Sequence, residues 1–270
     1  MNYNYSLQRR LANVLRMTPL YSATKVTYRH TLNRSYLQQR KKIVDFFGVF
    51  LEKGDLVFDV GANVGDFVDA FLHLGVKVCA VEPNQFCVEE LKALYGDNRQ
   101  FILIDRALGS AAGEGKMYLG EEDMHCVSTL SQEWKEEAQN IAELKKAGWN
   151  KQVKVDIITL DSLIEQYGIP KLCKIDVEGF EYEVLQGLTQ PIPMFSLEYT
   201  PWRIDPAISC IDYLSNLSRY EFNITMSNSR QSIGELRFEN WVSKDRILEL
   251  INEEIRDTDI VGDLYAKVIF

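Results

Sequence analysis

The chain has 270 residues and a formal net charge of −9, with 46% hydrophobic and 26% charged residues. This composition is typical of a globular protein with a sizeable core, and the length suits one large α/β domain better than two full domains. No window reaches the unbroken apolar length of a membrane span, and the N-terminus lacks the apolar segment of a secretion signal, so we expect a cytoplasmic protein.

A basic arm opens the chain. Residues 1–42 hold nine Lys or Arg and no Asp or Glu, whereas residues 43–270 hold 21 basic and 39 acidic residues, so we divide the chain there into an arm and one domain. Apolar residues at helical spacing over 7–15 predict a short amphipathic helix. Such an arm can dock on its own body, on a second copy in a homodimer, on an anionic membrane or on an acidic substrate, and its own body is the plainest choice.

A predicted helix at 36–51 leads into the stretch LVFDVGANVG at 56–65. Its apolar run has the β-branched and aromatic character of a buried strand, and a helical pattern begins near Val64. Gly61 and Gly65 in the turn between them would leave room for a ligand beside the backbone, and free amides at a helix start favour an electron-rich group. The stretch therefore predicts a cradle for a nucleotide or nucleoside.

The spacing in this turn differs from that of a dinucleotide site. It reads G-x-x-x-G after Asp59, with Asn63 between the glycines, and it lacks the third glycine that a pyrophosphate turn needs. An aspartate at the strand end suits a positively charged ligand. A glycine turn without any ligand remains the alternative at this point, and with it a noncatalytic nucleotide-binding module.

Two further strands are predicted next to the first. The strand at 76–81 ends in Glu82, about twenty residues after the turn, where a carboxylate can accept both hydroxyls of a ribose. The strand at 101–104 ends at Asp105, which is followed by Ala107. An aspartate in that place is also common as a cap or a solvated turn.

The middle of the chain mixes short strands and helices. We predict a hairpin-like excursion at 109–119, a loop that contains His125, and a long polar helix from Ser131 to Lys146 with the serine as its cap. A strand at 153–158 and a helix at 162–167 follow.

The stretch LCKIDVEGFE at 172–181 runs a short apolar strand into three carboxylates, Asp176, Glu178 and Glu181. Alternation places Lys174 and Asp176 on one side of the strand. Carboxylates so close together need a cation, a raised pKa, a polar substrate or solvent to compensate their repulsion.

The last part of the chain completes the sheet. Strands are predicted at 195–198, 220–225 and 264–269, with helices at 208–217 and 243–256. The Ser-, Asn- and Arg-rich segment at 227–241 could fold over a substrate pocket.

The motifs D-V-G-A-N-x-G, V-E-P, S-T-L, T-L-D-S, K-I-D-V-E-G-x-E and S-L-E occur in this order between about residues 55 and 200. They resemble those of the FkbM family of class I methyltransferases. The resemblance implies a three-layer, doubly wound, Rossmann-like α/β sheet of about seven strands with the last strand antiparallel, S-adenosyl-L-methionine as cofactor, and O-methylation of a sugar, glycan or small hydroxylated metabolite. It does not cover the arm or the region after Trp202, so it implies no particular acceptor.

By position, the resemblance implies a cofactor site made of Asp59, Gly61, Asn63, Gly65, Glu82, Asp105, Ala107 and Asp176, with Asp105 bonding the adenine amino group. A base must also remove the proton of a hydroxyl acceptor, and the candidates are Asp176, His125 and Glu198. We prefer Asp176, since it ends a central strand beside the ligand cleft of such sheets. We predict no metal; a divalent cation on Asp176 with Glu178, Glu181 and Glu198 is the minor alternative.

An RNA ribose 2′-O methyltransferase is the runner-up function. Lys174 and Asp176 with two glutamates resemble the Lys-Asp-Lys-Glu arrangement of those enzymes, but a second lysine in a matching strand is missing. The acidic body would also repel phosphates, which disfavours a nucleic-acid partner. We therefore expect a small-molecule or glycan acceptor.

Overall fold

The computed structural model describes residues 33–120, 124–226, 234–256 and 258–269. The amphipathic helix predicted at 7–15 and part of the 227–241 segment lie outside these residues. In the part of the chain that is described, no helix is long and apolar enough to cross a membrane.

The helices and strands follow one another in the order α1 (Arg34–Phe47), β1 (Leu56–Val60), α2 (Asp66–His73), β2 (Lys77–Val81), α3 (Gln85–Tyr95), β3 (Phe101–Ile104), β4 (Ala107–Leu108), β5 (Gly113–Leu119), α4 (Gln132–Ala138), β6 (Lys151–Ile158), α5 (Leu160–Tyr167), β7 (Leu172–Ile175), α6 (Glu181–Leu185), β8 (Met194–Tyr199), α7 (Asp205–Leu217), β9 (Tyr220–Ile224), α8 (Lys244–Leu250) and β10 (Gly262–Val268).

Seven of these strands form one sheet in the order β3-β2-β1-β7-β8-β10-β9. Strands β3, β2, β1, β7 and β8 pair in parallel, and β10 runs antiparallel to both of its neighbours. The strand order reverses between β1 and β7, and in open α/β sheets ligands bind at the carboxyl ends of the strands at such a point. The predicted fold class, a doubly wound seven-stranded sheet with its last strand antiparallel, is confirmed.

Helices cover both faces of this sheet. On one face, Ile43 and Phe47 of α1 and Val68 and Phe71 of α2 pack against the residues of β1 and β2 that point to that side of the sheet. On the other face α5, α6, α7 and α8 bury their apolar sides. The central strands are buried on both faces, which is why β1 and β2 read as continuous apolar runs in the sequence.

Helix α1 ties the end of the basic arm to the body. It runs across residue 42, where the sequence suggested a boundary between arm and domain. The Tyr36 hydroxyl donates to Asp69 Oδ2 at 2.9 Å, and Arg40 lies 3.5 Å from the same oxygen. Because Asp69 is almost fully buried, this end of the arm docks on its own body.

A second sheet of three strands, in the order β4-β6-β5, lies outside the main sheet. The predicted excursion at 109–119 becomes β5 and pairs antiparallel with β6 from Gly113↔Ile157 to Leu119↔Lys151. The long helix predicted from Ser131 to Lys146 is wrong. Ser131 does cap a helix, but α4 ends at Ala138, and the chain turns so that Leu144, Ala147 and Trp149 can pack against Trp134 in a small separate core.

Candidate active site

A cleft opens at the carboxyl ends of β1, β2 and β7. The residues of its lining that matter below are Gly61, Asn63, Glu82, Ala107, Met117, His125, Ser128, Leu130, Asp176, Val177, Glu178 and Phe180. Five of the sequence-predicted cofactor residues therefore meet in one cavity, together with two of the three candidate bases.

The two glycines of the first turn serve protein contacts. A Cβ on Gly61, which has a φ of 81°, would lie 1.8 Å from the carbonyl oxygen of Asp176, and a Cβ on Gly65 would lie 2.7 Å from the Tyr95 ring. Protein atoms therefore occupy the space that a side chain would take at either glycine, and the backbone of Gly61 lines the cleft. Gly61 lets the tips of β1 and β7 touch, and this contact forms the floor of the cleft.

The amides of this turn are also used within the protein. Those of Gly61 and Ala62 donate to the Val81 carbonyl at 2.9 and 3.1 Å, and that of Asn63 donates to Glu82 Oε2 at 2.8 Å. They tie the first turn to the end of β2.

Glu82 lies at the end of β2 with its carboxylate in the cleft wall. Its Oε2 accepts from the Asn63 amide and its Oε1 from the Asn84 amide, each at 2.8 Å. Burial raises the pKa of Glu82 to about 7, although the two amides act in the opposite direction. Each oxygen keeps a second acceptor position, so the fixed carboxylate can still bind two hydroxyl donors.

The two predicted cofactor residues after β3, Ala107 and Asp105, lie in different places. Ala107 is buried and lines the cleft next to Met117. The Asp105 side chain is 60% exposed, lies 3.8 Å from Lys92 Nζ, and is not part of the cleft wall. The structure therefore does not bring Asp105 together with the other predicted cofactor residues.

Asp176 lies directly after β7 and faces the cleft with 31% of its side chain exposed. Its Oδ2 accepts from Lys174 Nζ at 2.8 Å. Asp59, in contrast, is buried beneath the cleft, and within the described ranges no group donates a hydrogen bond to its carboxylate. Burial raises the pKa of Asp59 to about 6, with the charge of Lys174 opposing the rise.

The other two candidate bases, His125 and Glu198, line two different cavities. His125 stands in a single 3₁₀ turn, His125–Val127, and its ring stacks on Phe86 with centroids 4.1 Å apart. It forms part of the cleft wall. Glu198 belongs to a smaller neighbouring pocket with Thr200 and Arg203.

Three carboxylates meet at the rim between the cleft and this pocket. One oxygen each of Asp176, Glu178 and Glu198 lie within 4.8 Å of one another, an arrangement of the kind that hard divalent cations bind. Glu181 does not join them, because its Oε1 accepts from the Val177 and Gly179 amides at 3.0 and 3.2 Å. Glu181 thus fixes the conformation of the loop after β7. It does not belong to the group of possible metal ligands, although the sequence analysis included it in the alternative metal site.

The segment at 128–130 forms the roof of the cleft, a role that the sequence did not predict. Thr129 Oγ1 donates to the Glu178 carbonyl at 2.7 Å, and Ser128 Oγ accepts from Asn84 Nδ2 at 3.2 Å. The S-T-L motif at 128–130 therefore links the roof to the loops after β7 and β2. The motif was visible in the sequence, but nothing there showed which loops it contacts.

A tryptophan fixes the same loop from above. A Cβ on Gly179 would lie 2.2 Å from Cδ1 of Trp134, which is fully buried and packs against Trp149 and Trp202. Only glycine fits at this position beneath the indole ring. The loop that carries Asp176 and Glu178 is thus clamped between the main sheet and the roof.

The part of the chain that holds the cleft is similar in sequence to known proteins. Residues 59–206 match the model of the methyltransferase FkbM domain. Over 164 residues the chain is 31% identical to the 31-O-demethyl-FK506 methyltransferase FkbM of Streptomyces tacrolimicus, a match that covers 52% of this chain and 62% of that protein. The chain thus spans less than two thirds of that relative's length.

Two solved structures are similar over most of the chain. The precorrin-6y C5,15-methyltransferase of Geobacter metallireducens has 12% identity and a TM-score of 0.40, with 88% of this chain and 90% of that chain covered. An rRNA methylase of Streptococcus thermophilus has 10% identity and a TM-score of 0.39, with 88% and 99% covered. Scores this low add nothing to the fold described above.

Proposed function

Because the chain belongs to the FkbM methyltransferase family, we propose that it transfers the methyl group of S-adenosylmethionine to a hydroxyl oxygen of a sugar, glycan or small hydroxylated metabolite. The observation that carries this proposal is the Asp176 carboxylate, which stands at the carboxyl end of a central strand in the wall of the cleft. The relative named above, an O-methyltransferase by its name, supports oxygen as the acceptor atom.

The cleft fits the cofactor in its chemistry. The fixed Glu82 carboxylate offers two acceptor positions, which suit the paired hydroxyls of a ribose. Apolar surface from Ala107, Met117 and Phe180 suits the purine ring. The acidic residues Asp59 and Asp176 lie near the tips of β1 and β7, at one end of the cleft. Their charge would favour a positively charged sulfur and an amino group at that end.

Asp176 is the residue that handles the proton. S-adenosylmethionine, when bound, supplies a methyl group on a sulfur that is already a good leaving group. A hydroxyl acceptor must still lose its proton, and a carboxylate within hydrogen-bond reach takes it as the new oxygen–carbon bond forms. Because 31% of the Asp176 side chain is exposed, the proton can pass on to water.

The acidic rim indicates the charge of the acceptor. Asp176, Glu178 and Glu198 face the place where the acceptor would enter, and carboxylates accept hydrogen bonds from hydroxyl or ammonium groups. The same charges repel a phosphate. This supports a phosphate-free polyol or amino sugar over RNA or a nucleotide sugar.

The test uses donor labelled in its methyl group and a panel of sugars, glycans and small hydroxylated metabolites. We expect Asp176→Asn to bind S-adenosylhomocysteine in calorimetry as the unchanged protein does and to lose about 100-fold or more in turnover, the usual loss when a general base is removed. The matched control is Asp212→Asn, which neutralises a half-exposed carboxylate on α7 that pairs with Lys244. Normal turnover by Asp176→Asn, or label on no hydroxyl of the panel, would contradict the proposal.

A further inference from the structure

Lys174 is a buried cation that has no role in the reaction proposed above. Its side chain is only 2% exposed and lies on β7, between Asp59 on β1 and Ser196 on β8 in the register of the sheet. Its Nζ is 2.8 Å from Asp176 Oδ2 and 4.2 Å from the centroid of the Phe67 ring on α2. A charge this deep in a protein is costly unless it is paired, so its retention here calls for an explanation.

The surroundings of Lys174 are acidic on three sides. Asp176 follows it on the same strand, Asp59 lies beside it on β1, and Asp263 on β10 acts on it from the other direction. Burial alone would lower the pKa of Lys174, but the charges of these three aspartates outweigh it and leave the pKa raised. The lysine is therefore charged at neutral pH.

Of its three partners, Asp176 is the one at the cleft. Asp59 is fully buried and Asp263 is partly buried, and burial raises the pKa of each to about 6. Asp176 is partly exposed, lines the cleft, and receives the direct hydrogen bond. The bond occupies one oxygen of the carboxylate, Oδ2, and leaves Oδ1 for the acceptor.

We propose that Lys174 is a positioning residue for methyl transfer: it holds the Asp176 carboxylate in a fixed rotamer, with one oxygen turned to the acceptor. The inference rests on the proposed role of Asp176. A carboxylate without this anchor would rotate at the strand tip and lose alignment with the acceptor hydroxyl, and displacements of this size cost up to about 100-fold in rate.

The test is a double-mutant cycle with Lys174→Met and Asp176→Asn. We expect Lys174→Met to lower kcat about 10- to 100-fold with KM for the acceptor and affinity for S-adenosylhomocysteine within about threefold. Since Lys174 acts through Asp176, the double variant should be no slower than Asp176→Asn alone. Multiplying effects, or a loss that appears in KM and not in kcat, would overturn the proposal.

Two further variants keep the test decisive if Lys174→Met folds poorly. Lys174→Arg retains the positive charge, and we expect it to recover at least a tenth of the wild-type kcat. Lys154→Met is the matched control, because it removes a lysine that lies 3.1 Å from Glu114 on the exposed side of the second sheet. If Lys174→Arg folds and is as slow as Asp176→Asn, the lysine does not act through its charge.

A readout without acceptor separates this inference from the proposed function. The carboxyl carbon of Asp176, assigned by its loss in Asp176→Asn, should have a different NMR chemical shift in the wild type and in Lys174→Met, because the variant lacks the hydrogen bond to Oδ2. An identical signal in both proteins overturns the positioning role even when hydroxyl acceptors are methylated. A moved signal with no methylated hydroxyl overturns only the proposed reaction.

Discussion

At the scale of single residues, Glu82 shows how a site can be both built and tuned by burial. Two backbone amides fix its carboxylate, yet burial still raises its pKa to about 7. In the protein without cofactor, Glu82 is therefore mostly protonated below pH 7 and mostly ionised above it. The ionised form is the one that can accept from two ribose hydroxyls.

Cofactor affinity should consequently depend on pH. Binding to the ionised form releases the proton that Glu82 holds below its pKa, so affinity should rise as the pH increases toward 7 and level off above it. We expect S-adenosylhomocysteine to bind about three- to tenfold more weakly at a pH of about 6 than at about 8, with proton release measurable by calorimetry in two buffers. Glu82→Gln should bind weakly with no such slope, and equal affinity at both pH values in the unchanged protein would contradict this role.

The position of Glu82 in the cleft wall could be predicted from the sequence, because a strand and its distance from the glycine turn are local features. The contacts of Gly61 and Gly65 could not be predicted, for the opposite reason. Their missing side chains make room for Asp176 and Tyr95, which lie far away in the sequence and become neighbours only through the sheet. Asp105 follows the same rule, since its place after β3 was predicted and its exposed orientation was not.

At the scale of elements, the contact between the tips of β1 and β7 is the structural condition for the cleft. We expect Gly61→Ala to destabilise the protein by about 2–4 kcal/mol, because the new Cβ overlaps a backbone carbonyl and a φ of 81° is strained for alanine. Cofactor affinity should fall with it, since the floor of the cleft moves. Urea unfolding and calorimetry measure both effects.

Gly113→Ala is the matched control for this change. Gly113 lies at the start of β5, a Cβ there meets nothing within 4 Å, and its φ is not in the left-handed region. Its replacement should change stability by less than about 1 kcal/mol. A Gly61→Ala protein as stable as Gly113→Ala would show that the two strand tips can separate without cost.

The elements themselves divide into those that the sequence predicts and those that it does not. β1, β2 and β10 lie within about two residues of their predicted places, because buried strands carry an apolar pattern of their own. The helix predicted through Lys146 failed although Ala138, Ile141 and Leu144 keep a helical spacing, because the chain turns after Ala138 and packs its apolar residues onto Trp134. That packing depends on partners that a local pattern does not contain.

At the scale of the whole molecule, charge separates the arm from the body. The end of the arm docks on the body through Tyr36 and Arg40, as the sequence suggested. Contact of the arm with an anionic membrane or with a second copy stays a prediction. The body is strongly acidic, and its cleft carries three carboxylates at the rim.

This charge should be visible in acceptor selection. For a sugar and its phosphorylated counterpart, we expect kcat/KM to be at least about tenfold higher without the phosphate at low salt, with a smaller gap at about 0.5 M salt because screening weakens the repulsion. Glu198→Gln should narrow the gap, whereas Glu114→Gln, a change on the exposed second sheet, should not. A phosphorylated acceptor that is preferred at low salt would contradict this view of the cleft.

The second sheet has a consequence for how such a protein can be altered. Strand β4 pairs with β6, with Ala107 opposite Ile157, so the chain leaves the central layers and returns to them at almost the same point. A module bounded in this way can be lengthened, trimmed or exchanged while both attachment points stay in place. Because this cassette carries Met117 and His125 of the cleft lining, transplanting it would reshape one wall of the cleft while β1, β2 and β7 stay as they are.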